Sequence, residues 1–245
     1  MKRTVLITGS SRGIGRAIAL KLAEGDYNIV VNYSNSKDMA DNLADTIRAM
    51  GKDSIAVQAD VSDYNQVKKM FDQVFDRFGK VDILINNAGI SVYGMLQDTS
   101  IEEWHKVYAT NVNGTFYCTK LAIPKMISQK YGKIINISSI WGLVGASCES
   151  LYASTKGAIN TFTKSIAKEL APSGITANVV APGVVLTDMS DQLDEEALEV
   201  VREETPLGRH SSPEEIADVV DFLVSDKGDF FTGQIISPNG GLVIQ

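Results

Sequence analysis

Tyr152 and Lys156 stand four positions apart in the run Tyr152-Ala153-Ser154-Thr155-Lys156. On a helix, positions i and i+4 share one face, so a phenol and an ammonium spaced this way can meet. Such a pair can do acid–base chemistry. A free phenol holds its proton up to a pH near ~10, and a cation within a few ångströms brings it closer to the neutral range. Ser139 precedes the tyrosine and follows the apolar run 134–137. That position reads as the carboxyl end of a strand, where α/β proteins build their sites. Singly, each residue has a plainer explanation: a buried aromatic, a turn serine, a solvated helical lysine. Their joint occurrence points to a site.

A second constellation lies near the N-terminus. The run Thr8-Gly9-Ser10-Ser11-Arg12-Gly13-Ile14-Gly15 sits between an apolar stretch at 5–7 and a helical pattern at 17–23. Glycines are needed where a chain turns tightly, where backbone approaches a pyrophosphate, and where a helix closes on a strand. The helix start then offers free N–H groups to an anion. Gly9, Ser11, Arg12, Gly13, Ile14 and Gly15 are therefore candidate dinucleotide contacts. The second apolar run ends Asn32-Tyr33-Ser34 and carries no acid. An NAD enzyme usually offers Asp or Glu there to the ribose 2′-hydroxyl. Arg12, with Asn32, Ser34 and nearby Lys37, suits a 2′-phosphate instead, which favours NADP(H) over NAD(H). The plainer reading of Arg12 is an exposed turn residue.

The elements that must position these residues follow from periodicity. Val- and Ile-rich runs at 5–7, 28–32, 54–58, 83–86, 133–137, 176–180 and 235–237 read as strands covered on both faces. Between them lie helical patterns such as 67–78, apolar at Val67, Met70, Phe71, Val74, Phe75 and Phe78. The alternation predicts one Rossmann-type α/β domain over 1–245: a doubly wound parallel sheet of about seven strands, helices on both faces. The acidic stretch 191–204 also holds Leu193, Leu198 and Val201. It reads as a surface helix, or as part of a small substrate lid around 188–210.

Composition narrows the class. The 245 residues carry a formal net charge of −7, so nucleic acid is not an expected partner. Hydrophobic content of 44% and charged content of 22% fit a soluble globular chain, and no run approaches the ~18 apolar residues of a membrane span. The apolar stretch at 5–7 is too short for a signal-peptide core. Cys118 and Cys148 form no C-x-x-C pair, and His105 and His210 stand far apart. A cytoplasmic protein without a metal site is expected.

Two more glycine-bearing turns, Asn86-Asn87-Ala88-Gly89 and Ala181-Pro182-Gly183, follow apolar runs. With them, the chain resembles the short-chain dehydrogenases/reductases over essentially its whole length. The motifs are the turn at 8–15, Asp60-Val61, Asn86 to Gly89, Asn111, Ser139, Tyr152, Lys156, and Pro182-Gly183 with Thr187. The resemblance implies a hydride transfer between a nicotinamide dinucleotide and a carbonyl or alcohol, the cofactor carrying the hydride. It makes Tyr152 the acid–base, and Ser139 the second donor to the carbonyl oxygen. Lys156 binds the nicotinamide ribose and lowers the tyrosine pKa. Asn111 holds a water that relays protons from Lys156. Asn111 also has a local reading, since asparagine inside a helix can distort it. Further implied cofactor contacts are Asp60, Val61, Asn87, Ala88, Gly89, Pro182, Gly183, Val185 and Thr187.

Within that family the glycine turn, the 32–34 strand end and the 179–183 stretch are similar to bacterial 3-oxoacyl-acyl-carrier-protein reductases. This implies NADPH-dependent reduction of a 3-ketoacyl thioester in fatty-acid synthesis by a cytoplasmic homotetramer, with acyl carrier protein as partner. Two positions depart from that pattern. Ser91-Val92-Tyr93-Gly94 replaces Thr-Arg-Asp-Asn, and of a basic pair used in carrier docking Lys130 has a counterpart while Ser173 replaces the other. The segment 139–149 is similar to a subgroup that reduces a 5-aminopentanone group on a lysine of elongation factor P. Tyr93, Trp141 and Glu149 are then candidate substrate residues, Glu149 pairing with an amine. Alternatively Glu149 caps the catalytic helix or faces solvent. Cys148 reads as a packed small residue. A non-catalytic nucleotide-binding member of the family is the remaining alternative, and the intact set Asn111, Ser139, Tyr152 and Lys156 opposes it.

Overall fold

Strands that are apolar along both edges of the pleat must be covered on both faces. The computed structural model, which describes residues 2–187 and 195–244, has that arrangement. In chain order the elements are β1 (Arg3–Ile7), α1 (Gly13–Glu24), β2 (Tyr27–Tyr33), α2 (Lys37–Ala49), β3 (Ser54–Gln58), α3 (Tyr64–Phe78) and β4 (Ile83–Asn86). There follow α4 (Ile101–Tyr108), α5 (Gly114–Gln129), β5 (Gly132–Ile137), α6 (Trp141–Val144), α7 (Ser150–Leu170) and β6 (Ile175–Val180). Last come α8 (Glu195–Glu204), α9 (Pro213–Val224) and β7 (Ile235–Ile236). The strands form one parallel sheet in the order β3-β2-β1-β4-β5-β6-β7.

Strand alternation divides the core. Val5, Ile7, Val31, Ile85 and Ile135 face one side, against Ile18 and Leu22 of α1 and Val220 and Leu223 of α9. Leu6, Val30, Leu84 and Ile134 face the other, against Met70, Phe71 and Val74 of α3 and Met126 of α5. Burying a side chain of this size is worth about 1.5–3 kcal/mol, so these two layers are the main source of stability.

All seven expected strands are present; 54–58 and 83–86 fall on the expected bounds, and the other five have shifted ends. β1 begins at Arg3 because Arg3 and Thr4 pair with Tyr27 and Asn28. β7 stops at Ile236, since only Val179 and Val180 of β6 pair with it. The expected helix at 67–78 begins earlier, at Tyr64. The Asp63 carboxylate accepts the N–H groups of Asn65 and Gln66 and so starts the helix three residues sooner. Of the stretch 191–204, residues 195–204 form α8, while Leu193 and the rest of 188–194 lie outside the described residues. Among the described residues no helix is long and apolar enough to cross a membrane.

The strand order reverses direction at β1. The chain passes from β1 to β2 on one side and later returns to β4 on the other. Crossover connections diverge there, leaving a crevice beyond the carboxyl ends of the strands.

Candidate active site

A cleft of about 780 Å³ occupies that crevice. Of the site residues chosen from sequence, all border it except Gly15, Lys37 and Asn111. One end is built around the first glycine turn. α1 starts there with Arg12 at its cap in extended conformation, with no side-chain cap bond and no acid in the first turn. Its leading N–H groups suit an anion. Gly9 takes φ +60°, and a Cβ on it would lie 2.9 Å from Ala88 Cα. A Cβ on Gly15 would lie 2.6 Å from Asn87 Nδ2 and 2.7 Å from the Gly9 carbonyl oxygen. Gly15 is therefore a packing glycine that lets α1 close on the turn.

Buried Thr8 and Asn32 and half-buried Asn87 hold this turn in shape. Thr8 Oγ1 accepts the N–H groups of Asn87 and Ala88, both at 3.0 Å. Asn87 Nδ2 donates to the carbonyls of Thr8 and Gly9, also at 3.0 Å. Asn32 Oδ1 accepts the Gly9 N–H at 3.0 Å, while its Nδ2 donates to the Ala59 carbonyl at 3.1 Å. Asn32 thus spends its amide on pinning the turn between β2 and β3. Asp60 Oδ1 accepts from the Ser62 N–H at 2.9 Å and from Ser62 Oγ at 2.7 Å. Arg12 and Ser34 border the same end of the cleft. Lys37 instead forms an ion pair with Asp41, one turn further along α2. An uncapped helix start, glycines under close backbone, and an arginine fit a dinucleotide at this end.

The other end carries the acid–base groups. Tyr152 lies in the first turn of α7 and is buried, as are Lys156 and Ser139. Tyr152 accepts a hydrogen bond with Ser139 that favours its ionised form, but burial and the Glu149 charge outweigh it and push the phenol up. The sequence led us to expect a lowered phenol beside Lys156. Instead Lys156 Nζ lies 5.4 Å from the Tyr152 ring centroid and donates to the Ile137 carbonyl at 2.8 Å. Burial also lowers the Lys156 amine to about 8. The phenol therefore stays protonated at neutral pH, the form a proton donor must have.

Asn111 sits behind this end, fully buried, in the π-helical turn Ala109–Asn113 between α4 and α5. Its Oδ1 accepts the Ile90 N–H and its Nδ2 donates to the Ile90 carbonyl, both at 2.9 Å. Nδ2 also donates to Thr155 Oγ1 at 3.0 Å. The side chain clamps the loop after β4 to α7; the helix is distorted here, but the Asn111 amide bonds these distant groups and not the backbone of its own helix.

The open side of the cleft is bordered by Tyr93, Trp141 and Glu149. Tyr93 is exposed and Trp141 half-buried. Glu149 occupies the cap position of α7 but makes no side-chain cap bond. Its carboxylate turns to Ser91, whose Oγ donates to Oε2 at 3.0 Å. Cys148, in the left-handed region at φ +60°, has its Sγ 3.5 Å from Met95 Sδ. Sequence reasoning passed over Thr8, Ser91, Ile90 and Thr155. Thr8, inside the glycine turn, and Thr155, inside the Tyr-to-Lys run, stood within motifs; Ser91 and Ile90 act through contacts with distant segments.

A parallel sheet with a glycine turn at its switch point, and a buried Ser–Tyr–Lys group beside it, defines a nucleotide-dependent oxidoreductase class. A family model described as enoyl-(acyl carrier protein) reductase matches residues 9–243. The chain belongs to the short-chain dehydrogenase/reductase family and is an oxidoreductase acting on carbonyl or hydroxyl groups. It is 46% identical over 242 residues to the 3-oxoacyl-(acyl-carrier-protein) reductase FabG of Staphylococcus aureus strain Mu50, covering 99% of this chain and 98% of that relative. It is 40% identical to the 3-oxoacyl-(acyl-carrier-protein) reductase of Synechocystis, over 99% of this chain and 97% of the relative. It is also 40% identical to an uncharacterized oxidoreductase, YmfI, of Bacillus subtilis, over 98% and 99%.

Proposed function

We propose that this chain reduces the 3-oxo group of a carrier-bound acyl thioester with NADPH, Tyr152 giving the proton. The observation that carries this reading is the meeting of Tyr152, Ser139 and Lys156 at one end of a cleft whose other end is the glycine turn. When bound, the reduced nicotinamide supplies the hydride.

The chain's own groups do the rest. The N–H groups at the start of α1, with Gly9, Ser11, Gly13 and Ile14, hold the pyrophosphate. Arg12 and Ser34 take the 2′-phosphate, and the absence of an acid at that strand end supports NADP(H). Asp60 and Val61 edge the adenine. Asn87, Ala88 and Gly89 line the dinucleotide. Pro182, Gly183, Val185 and Thr187 meet the carboxamide side. Lys156 binds the ribose hydroxyls and, through a water held at Asn111, restores the proton that Tyr152 gives up. Ser139 and Tyr152 together receive the charge that develops on the carbonyl oxygen. The curated relatives named as 3-oxoacyl-(acyl-carrier-protein) reductases support acyl carrier protein as partner and fatty-acid synthesis as setting. A cytoplasmic homotetramer goes with that reading.

A second reading, reduction of the 5-aminopentanone group on elongation factor P, is favoured by one observation: the Glu149 carboxylate borders the cleft beside Tyr152.

The test follows NADPH oxidation with acetoacetyl thioesters of coenzyme A and of carrier protein, beside equilibrium titration with NADPH and NADH. Turnover is expected, with NADPH bound at least about tenfold more tightly, a difference of ~1.4 kcal/mol. No oxidation with either thioester, or tighter binding of NADH, overturns the assignment.

A further inference from the structure

The hydroxyl of Ser139 has one hydrogen to give and two lone pairs to fill. One lone pair is taken by the Trp141 N–H, whose nitrogen lies 3.2 Å from Oγ. That contact turns the hydroxyl hydrogen away from Trp141, leaving it for the cleft side, where Ser139 also hydrogen-bonds Tyr152. A donor aimed in advance stabilises a developing oxyanion better than one that must reorient to meet it. The aim of Ser139 therefore depends on where the Trp141 backbone stands.

Trp141 opens α6, a single turn of four residues. So short a helix does not hold itself together. It is held from outside, by α7. A Cβ on Gly142 would come within 2.6 Å of Lys156 Cβ and 2.7 Å of the Lys156 carbonyl carbon, so the two backbones lie in close contact. Asn160, one turn beyond Lys156 on α7, donates from Nδ2 to the Gly142 carbonyl at 2.9 Å. One turn further, Thr163 Oγ1 accepts from Asn136 Nδ2 at 2.8 Å, a bond to β5 rather than to α6.

Asparagine is a destabilising choice at position 160. The residue is 5% exposed, and its Oδ1 has no hydrogen-bond partner among the described residues. A buried amide with its oxygen unmatched lowers stability relative to an apolar side chain of similar size. Leucine would pack there without that oxygen. What leucine would lose is the Gly142 carbonyl, which belongs to a half-buried residue. Asn160 does not border the cleft, so an effect on the reaction has to pass through its neighbours.

We propose that Asn160 is a positioning residue for proton delivery: by holding the Gly142 carbonyl it fixes the Trp141 N–H on Ser139, and so aims the Ser139 hydroxyl at the reacting oxygen. This rests on the ketoreductase function above and deepens it. Asn160 acts through Ser139 alone, so its effect requires the serine hydroxyl.

The experiment is a double-mutant cycle of Asn160→Leu and Ser139→Ala in the full chain, with NADPH and acetoacetyl-coenzyme A. Asn160→Leu should lose about tenfold in kcat, with KM and NADPH affinity changed by less than about twofold. In the Ser139→Ala background the same change should cost less than about twofold, because the hydroxyl it aims is gone. The unfolding temperature of Asn160→Leu should equal or exceed that of the wild type. The decline of activity above pH about 8 should keep its midpoint, since Lys156 is not the target. Thr163→Val, the comparison on the same helix, should lower the unfolding temperature and leave kcat within about twofold. A second readout is independent of turnover. Trp104→Phe leaves Trp141 as the one tryptophan of the chain. In that background Asn160→Leu should raise acrylamide quenching of Trp141 fluorescence. Equal losses in the two serine backgrounds overturn the proposal, as do an unchanged kcat, a shifted pH midpoint or unchanged quenching in Asn160→Leu. If the leucine variant does not fold, Asn160→Ala removes the same donor and takes its place in the cycle and in the quenching. If Ser139→Ala turns over too slowly to measure, the quenching decides. Failure of the ketoreductase function itself is recognised separately, as absence of wild-type turnover with either acetoacetyl thioester.

Discussion

The two ends of the cleft are made of different materials. At the glycine turn the cleft wall is largely backbone, held in shape by side chains bonded to main-chain groups. Thr8, Asn32 and Asn87 spend their polar atoms on main-chain groups of neighbouring strands and turns. At the carbonyl end the contact surface is side chains: Ser139, Tyr152, Lys156 and, toward solvent, Tyr93, Trp141 and Glu149. Backbone cannot change its chemistry by single substitutions, whereas side chains can. The first end therefore suits a constant ligand and the second a variable one.

The sharpest way to separate the two ends is Tyr152→Phe. Losing a general acid costs about 10²–10⁴ in rate. We expect kcat to fall at least about a hundredfold, while NADPH dissociation changes less than about twofold, by stopped-flow and equilibrium titration. Retention of more than about a tenth of kcat would show that the proton comes from elsewhere.

Lys156 tests the same end through pH. Burial lowers its amine from 10.5 to about 8. The unfolded chain holds that proton up to 10.5, so between about 8 and 10.5 it binds more protons than the folded protein does. By linkage, this group's contribution to stability rises with pH in that window. Below about 8 the folded state carries the full cost of a buried ammonium, of order ~3 kcal/mol before the Ile137 hydrogen bond offsets part of it. Lys156→Met should abolish turnover yet raise the unfolding temperature at pH 7, with a smaller gain at pH 10. A lowered unfolding temperature at pH 7 would contradict this. Wild-type activity should also decline as pH rises through about 8 and the amine loses its charge.

Gly15→Ala attacks the other end. The added methyl meets Asn87 Nδ2 at 2.6 Å and the Gly9 carbonyl oxygen at 2.7 Å. Overpacking of this kind costs ~1–3 kcal/mol. The unfolding temperature should drop and NADPH binding weaken by about tenfold or more, because the turn must shift to admit the methyl. Unchanged binding would mean that the turn is more yielding than its hydrogen bonds imply. Arg12→Ala is gentler: it should cost NADPH about tenfold in affinity and leave NADH unchanged. Equal losses for both cofactors would remove the 2′-phosphate assignment.

The smallest effect is a control on helix starts. α9 packs against α1 in the same layer of the core. The α9 start is sealed by a capping box between Ser212 and Glu215, while α1 has no side-chain cap. Arg209 further pairs with Glu215 at 2.6 Å. Ser212→Ala should lower stability by ~1 kcal/mol in a denaturant melt and leave NADPH binding untouched. A change in NADPH affinity would show that the two helix starts are coupled.

Much of this was legible along the chain. The seven apolar runs marked the strands, because a strand covered on both faces has to be apolar on both edges of the pleat. Tyr152, Lys156 and the 8–15 turn were readable because their geometry is local: one helical turn, one strand-to-helix bend. The clamp of Asn111 on Ile90 and Thr155 was not readable, since its partners lie 21 and 44 residues away. The same holds for Ser91 on Glu149, 58 residues apart.

Sequence by itself therefore determined the elements, their parallel alternation and the residue types able to hold a dinucleotide and move a proton. Each of these depends on contacts within a few residues, where periodicity and turn chemistry speak directly. Only the tertiary structure decided the electrostatics. Whether the Tyr152 phenol stands above or below its ordinary value depends on how deeply α7 is buried and on which charges other segments bring near it. The fold buried Tyr152 and brought the Glu149 charge near it, and so set the phenol high. Desolvation and long-range charge are properties of the packed chain, and no spacing in the sequence encodes them.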